Sequence, residues 1–219
     1  MNRIVTLDGP AGVGKSTIAK RVAEHLGIAY LDTGAMFRVI AKTLGQDGLA
    51  LSEADLARAL EPLAFSLSGA GAATTLACNG VIAGQEIRTE AIGMLASRYA
   101  TLPAVRAFLK KAQQDLGSAY PLVAEGRDMG TAIFPGAPCK FFLDASPEVR
   151  ALRRVRQLAE NGVTEDLATV TRQIRERDDT DRNRAIAPLK PADDAVVIDT
   201  SEMNIDQVFE TIVEQLDRQ

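Results

Sequence analysis

The stretch Gly9-Pro10-Ala11-Gly12-Val13-Gly14-Lys15-Ser16 decides the reading of this 219-residue chain. Its spacing is G-x-x-x-x-G-K-[ST]. An apolar run, Ile4-Val5-Thr6-Leu7, leads into it and is closed by Asp8, and a helical pattern over residues 17–26 leaves it. A phosphate cradle requires strand, glycine-rich turn and helix in that order. The glycines let the backbone turn tightly and aim successive N–H groups at an anion. A helix starting near Lys15 adds its free N–H groups and the positive end of its dipole. Lys15 brings a mobile ammonium to the outer phosphates, and the Ser16 hydroxyl is a ligand for Mg²⁺. The expectation is a nucleoside-triphosphate site formed by Gly9, Pro10, Ala11, Gly12, Val13, Gly14, Lys15, Ser16 and Thr17, with Ser16 facing the metal. A glycine-rich turn with an incidental lysine is the plainer alternative. The position at the first strand-to-helix junction argues against it.

Outward from this loop, strands alternate with helices. Ile18, Ala19, Val22, Ala23 and Leu26 form an apolar stripe at helical spacing, and Gly27 stops the helix. Residues 28–31 make a second strand, so the chain opens with a βαβ unit, parallel and right-handed. Thr33 is a possible cap for a helix over residues 35–44 that exposes Arg38 and ends at Gly45. Ser52 and Asp55 mark another helix start. The texture then changes. Residues 64–68, 74–78 and 81–83 read as short strands, with Asn79-Gly80 as a hairpin turn. A local antiparallel sheet inside a βαβ chain is an insertion. Helical patterns over 90–100 and 104–116, separated by Pro103, carry Ser97 and Arg106. Strands resume at 122–124, leading into Glu125-Gly126-Arg127-Asp128, and at 140–143, ending at Asp144. Ser146 caps and Pro147 opens a helix holding Arg150, Arg153, Arg154 and Arg156, which stops near Asn161-Gly162. Thr164 is expected to cap the next helix, which runs into the most highly charged stretch, residues 175–184. Taken alone, that stretch reads as a solvated helix with Asp–Arg pairs. A last buried strand over 195–199 and an amphipathic helix over 205–216 close the chain.

Composition narrows the function. Apolar residues at 46% and charged residues at 25% fit a soluble globular protein. No apolar run is long enough to span a bilayer. The first residues lack the charged-then-apolar pattern of an export signal, and Cys78 and Cys139 form no C-x-x-C motif, so a reduced, cytoplasmic setting is expected. A net charge of −4 and a pI near 5.2 argue against a nucleic-acid coat protein. Yet 18 of the 25 basic residues are Arg, whose planar fork binds phosphate bidentately. A small phosphorylated ligand suits that combination. His25, the only histidine, lies in the first helix, which makes histidine general-base chemistry and histidine metal clusters improbable. With no interface signature, the expected state is a monomer without nucleic-acid or membrane partners.

Ligands of an open parallel sheet collect at the carboxyl ends of its strands. Lys15, Arg38, Arg127 and the arginines of residues 177–184 can all approach that edge. This is more positive charge than one triphosphate needs, and a second phosphorylated molecule beside the first accounts for it. Phosphoryl transfer needs two substrates aligned and developing charge neutralised, which arginines and Mg²⁺ supply.

At this point the residues resemble a known family. Residues 4–16, Leu31-Asp32-Thr33-Gly34-Ala35-Met36-Phe37-Arg38, Glu125-Gly126-Arg127-Asp128-Met129-Gly130-Thr131 and the run from Glu176-Arg177-Asp178-Asp179 through Asp181-Arg182-Asn183-Arg184 to Leu189 are similar to bacterial cytidylate (CMP) kinases. The resemblance covers essentially the whole chain, inserted sheet included. It implies transfer from Mg-ATP to CMP or dCMP. It also implies a P-loop three-layer α/β/α fold with a five-stranded parallel sheet, a small antiparallel β-containing insertion on the acceptor side and a helical lid. The core would take residues 1–34, 117–150 and 188–219, the acceptor region 35–116 and the lid 151–187. By the same resemblance, Arg38, Arg127 and Arg184 grip the acceptor phosphate, with Thr33 in the acceptor site. Ser97, Arg106 and Asp128 read the cytosine, Arg177 and Asp181 hold the sugar hydroxyl, and Lys15 and Arg154 balance charge on the transferring group. Thr33 stands where serine is frequent, and Phe37 stands where tyrosine is frequent. Three rival readings remain, one of them a nucleic-acid-dependent ATPase, which the acidic pI and the missing aromatic platform disfavour. Another small-molecule kinase would share the loop, and a guanine-nucleotide switch would need an N-K-x-D segment that the chain lacks.

Overall fold

The computed structural model describes residues 3–160 and 162–218. β1 (Ile4–Asp8), α1 (Lys15–Leu26), β2 (Ala29–Asp32) and α2 (Thr33–Leu44) follow one another, then α3 (Glu53–Leu60). Strands β3 (Phe65–Ser68), β4 (Thr75–Cys78) and β5 (Val81–Ile82) come next, then α4 (Glu90–Tyr99), α5 (Pro103–Ala119), β6 (Leu122–Gly126) and β7 (Cys139–Asp144). The chain ends through α6 (Pro147–Glu160), α7 (Leu167–Asn183), β8 (Val196–Asp199) and α8 (Ile205–Asp217).

The central sheet has five parallel strands in the order β2-β6-β1-β7-β8. The side-chain period of two sorts it into two faces. Ile4, Leu31, Leu122 and Ala124 pack with Met36, Ile40, Leu109 and Leu116 from α2 and α5. Val5, Leu7, Tyr30, Val123, Phe141 and Leu143 pack with Ile18 and Val22 of α1 and Val208 and Ile212 of α8. This is the expected three-layer α/β/α fold.

β3, β4 and β5 form the separate antiparallel sheet, with Asn79 and Gly80 both at positive φ in its hairpin. Its loop covers the outer edge of β2. The Gly71 N–H donates to the Ile28 carbonyl at 2.8 Å, and the Tyr30 N–H donates to the Thr74 hydroxyl at 3.1 Å. Otherwise unpaired edge groups are thereby satisfied.

Several local expectations need correction. Asp32, not Thr33, caps α2: its carboxylate accepts from the Ala35 N–H at 2.9 Å. Thr33 is the first residue of that helix, and its hydroxyl donates to the Glu125 carbonyl at 2.7 Å. Asp166, not Thr164, caps α7, accepting from the Thr169 N–H at 2.9 Å. In both cases a carboxylate lay within two residues of a hydroxyl, and the charged acceptor took the cap. Pro103 opens α5 as its first residue. β8 is an edge strand with Val197 57% exposed, because β7 is its only neighbour. Of the expected stop at Asn161-Gly162, Asn161 lies outside the described residues, and Gly162 follows α6 with φ 76°.

Candidate active site

The phosphate loop runs from the end of β1 to the start of α1. Gly9 is buried against the next strand. A Cβ there would stand 2.1 Å from the Leu143 carbonyl oxygen, and φ is 148°, so only glycine fits. Val13 is buried in the α1–α8 side of the core, while Gly12, Ser16 and Thr17 are exposed. Gly14 precedes the first turn of α1 in a left-handed conformation. The helix N–H groups and the loop thus face solvent as the anion site requires. Lys15 is buried, and its ammonium donates to the Pro10 carbonyl at 2.6 Å. Burial, then the nearby Arg127 charge, pull its pKa well below the usual lysine value.

Two buried carboxylates lie under this loop, and the motif-based reading gave neither a role. Asp8, at the carboxyl end of β1, accepts the N–H groups of Met129 at 2.9 Å and Gly130 at 2.8 Å. It thereby ties the phosphate-loop strand to the turn that follows Asp128. Burial raises its pKa to about 6 against the lowering effect of those two N–H groups. Glu125, at the end of β6, accepts from the Tyr30 hydroxyl and lies within hydrogen-bond reach of Ser16. Burial and the Asp32 charge push Glu125 up; burial and Glu125 push Tyr30 up. The signal was present in the sequence: both residues close apolar strands at the sheet's carboxyl edge.

Beside the loop runs a continuous chain of charges. Arg106 from α5 pairs with Asp128, and Arg184, just past α7, reaches the other oxygen of Asp128 at 3.2 Å. Asp181 lies 3.9 Å from Arg184 and 2.9 Å from the Nε of Arg127. Three sequence-distant segments meet here: α5, the β6 exit and the end of α7. Burial raises Asp181, but Arg127, Arg177 and Arg184 together hold it below the usual carboxylate range. Arg177 is exposed to the cleft but walled by protein; lost hydration and then the Arg127 charge bring it down to about 10. It stays protonated at neutral pH.

The remaining expected residues lie around Arg38, whose charge reaches Arg177. Arg38 donates to the carbonyls of Ile87 at 3.0 Å and Thr89 at 3.1 Å. Its pKa is lowered by burial and by Arg88, a neighbour the motifs did not single out; Arg88 pairs with Asp32 at 2.7 Å. Arg154 is exposed, 3.8 Å from Glu90 and close enough for its charge to act on Arg38, so it lies on the Arg38 side. The Ser97 hydroxyl donates within α4 to the Gly93 carbonyl at 3.2 Å rather than to Arg106 or Asp128.

Among the described residues no cluster of three His, Cys, Asp or Glu could hold a metal ion. The donor set is one exposed hydroxyl, Ser16, with the Glu125 carboxylate behind it. That fits Mg²⁺, which binds few protein groups and takes its other ligands from phosphate and water.

A family model described as cytidylate kinase matches residues 5–218. The chain belongs to the cytidylate kinase family. Among curated relatives, the cytidylate kinase of Oleidesulfovibrio alaskensis is 60% identical over 213 residues, 97% of each chain. That of Nitratidesulfovibrio vulgaris (strain Hildenborough) is 59% identical over 214 residues, 98% of this chain and 92% of the relative. Among solved structures, an uncharacterised protein from Eubacterium ventriosum aligns over 100% of both chains with a TM-score of 0.52 at 13% identity, a likeness of fold alone. The charges of Arg127 and Arg177 act on Lys15 of the loop, and that of Arg38 acts on Arg177.

Proposed function

We propose that this chain transfers the γ-phosphoryl group of Mg-ATP directly, in line, to CMP or dCMP, giving CDP or dCDP. Family membership supports the reaction. The observation that carries the acceptor assignment is Asp128 held between Arg106 and Arg184. Cytosine offers an exocyclic amine donor beside a ring acceptor, and a buried carboxylate next to a guanidinium complements that edge. Arg184 then links the base-reading end to the phosphate-gripping end, where Arg127 and Arg38 supply charge. Ser97 completes the base contacts, with Thr33 beneath the acceptor; Arg177 and Asp181 hold the sugar hydroxyl.

On the donor side, residues 9–17 cradle the phosphates and Lys15 exchanges its Pro10 carbonyl for phosphate oxygen. Ser16 would hold Mg²⁺, which when bound neutralises charge between the outer phosphates. Lys15, Arg127, Arg184 and Arg154 counter the charge that develops on the transferring group. The core comprises residues 1–34, 117–150 and 188–219, the acceptor region 35–116 and the lid 151–187. The lid closes over ATP and excludes water. The working form is a cytoplasmic monomer. No helix of the described residues is long and apolar enough to cross a membrane.

The test is ADP formation from Mg-ATP with CMP, dCMP, UMP, AMP, GMP and shikimate offered separately. Turnover mainly with CMP and dCMP is expected, with modest UMP use. Preference for another acceptor overturns the cytosine pocket, and ADP formation independent of every acceptor overturns the kinase reading.

A further inference from the structure

Arg150 is the largest fully buried side chain, at 1% exposure, yet it belongs to neither group of basic residues above. It sits near the start of α6. Its Nε donates to the Ala145 carbonyl at 2.9 Å. One terminal nitrogen donates to the Ala11 carbonyl at 3.1 Å and to Asp178 at 3.0 Å, and the other donates to the second oxygen of Asp178. Four of its five N–H groups are therefore used, three of them to join two elements that are otherwise far apart. Ala11 is part of the phosphate loop, and Gly12 rests on the stem of Arg150, where an added Cβ would lie 3.4 Å from the Arg150 Cβ. Asp178 is part of α7.

The sequence of α7 explains why the carboxylate is there. Val170, Ile174 and Asp178 recur at intervals of four and form its buried stripe, the first two packed on Ala151, Val155 and Leu158 of α6. The third position is charged because Arg150 meets it. A buried guanidinium needs such a partner, and the planar fork fixes the direction of the helix as well as its distance. Arg177 precedes Asp178 by one residue and Asp181 follows it by nearly one turn, and both lie by Arg127.

We propose that Arg150 is a positioning residue that couples the two substrate sites. Through one guanidinium it holds the phosphate-loop backbone at the Ala11 carbonyl and α7 by the Asp178 carboxylate. A donor seated in the loop therefore orders Arg177, Asp181 and Arg184 for the acceptor, and the acceptor in turn tightens the loop. Such coupling is reciprocal in binding free energy. The proposal rests on the donor and acceptor assignment above.

The experiment is calorimetric titration of CMP into the full-length protein, with and without a saturating non-hydrolysable ATP analogue plus Mg²⁺. The reverse titration checks reciprocity. The unsubstituted protein should bind CMP about tenfold more tightly when the analogue is present. In Asp178→Asn, and in the double variant Arg150→Met with Asp178→Leu, that ratio should fall to about one, while each ligand alone binds within about threefold of its original affinity. The double variant replaces the ion pair by apolar groups of similar volume and so keeps the pair's burial without a stranded charge. Arg150→Lys, which keeps the charge but not the fork, should not restore the ratio. A ratio of one in the unsubstituted protein overturns the proposal. So does a retained ratio in a folded variant, or a loss of analogue affinity alone with the ratio intact. An unsubstituted protein that binds neither nucleotide overturns the underlying site assignment instead.

Discussion

At Lys15 a charge that transfer needs sits where folding disfavours it. Its ammonium is buried, satisfied by one carbonyl and depressed in pKa by burial. Lys15→Ala should therefore lower kcat by at least about 100-fold without lowering the thermal midpoint; an unchanged kcat removes it from the donor site. Asp128 behaves oppositely. It is shared by two arginines, each with a side chain less than a tenth exposed, so Asp128→Ala strands both and costs on the order of 3–5 kcal/mol. The informative change is Asp128→Asn, which keeps the shape. The CMP-to-UMP ratio of kcat/KM should drop on the order of tenfold or more, and an unaltered ratio contradicts base reading by this side chain. Asp8 carries the pH signature. Its carboxyl keeps a proton in the native state up to about 6, whereas an unfolded Asp releases it near 3.8. Native stability is thus greatest below that window and declines as pH rises through it, by up to about 3 kcal/mol from this group. Denaturant titrations from pH 4 to 7 should show Asp8→Asn gaining on the unsubstituted protein by that order; a constant difference refutes the assignment.

Elements were legible where a periodic pattern met a single strong punctuation mark. Gly27 ends α1 at φ 63°, Ser52 caps α3, and Asn79-Gly80 turns the hairpin, each as the sequence indicates. Reading failed where two adjacent residues offered the same chemistry, as at Asp32-Thr33 and between Thr164 and Asp166. It failed too for Arg150, one of four arginines in α6 that composition cannot tell apart; only the approach of Ala11 and Asp178 singles it out. Much of the site's wiring was illegible for the same reason, since Asp8 meets Gly130 across a separation no local pattern records. A fully formed cap allows a clean test at this scale. In α8, Asn204 accepts from the Gln207 N–H and Gln207 accepts from the Asn204 N–H, both at 2.9 Å. Asn204→Ala should cost about 1 kcal/mol and lower the thermal midpoint by about 2–4 °C in calorimetry; no shift means the box contributes nothing.

Across the whole molecule, the order of strands in the sheet carries a consequence for how the protein comes into being. β1 and β2 are consecutive in the chain, but they never touch, because β6 lies between them. Ile4 finds its partner only when Leu122 arrives, and Ala29 waits for the same residue. On the ribosome the amino-terminal half emerges before β6, and its β1 and β2 then have no central sheet to join, however good its helices are. The inserted loop braces β2 at its outer edge, and α2 to α5 pack on one another, but neither supplies the missing central strand. A fragment of residues 3–119 should therefore show helical circular dichroism without a cooperative thermal transition, and a sharp transition in that fragment would contradict this. The phosphate loop precedes in the chain both strands that flank β1, so its supporting strand has no partner until β6 and β7 have been made. Synthesis order and assembly order thus diverge: a strand made late is the wedge that holds two strands made early.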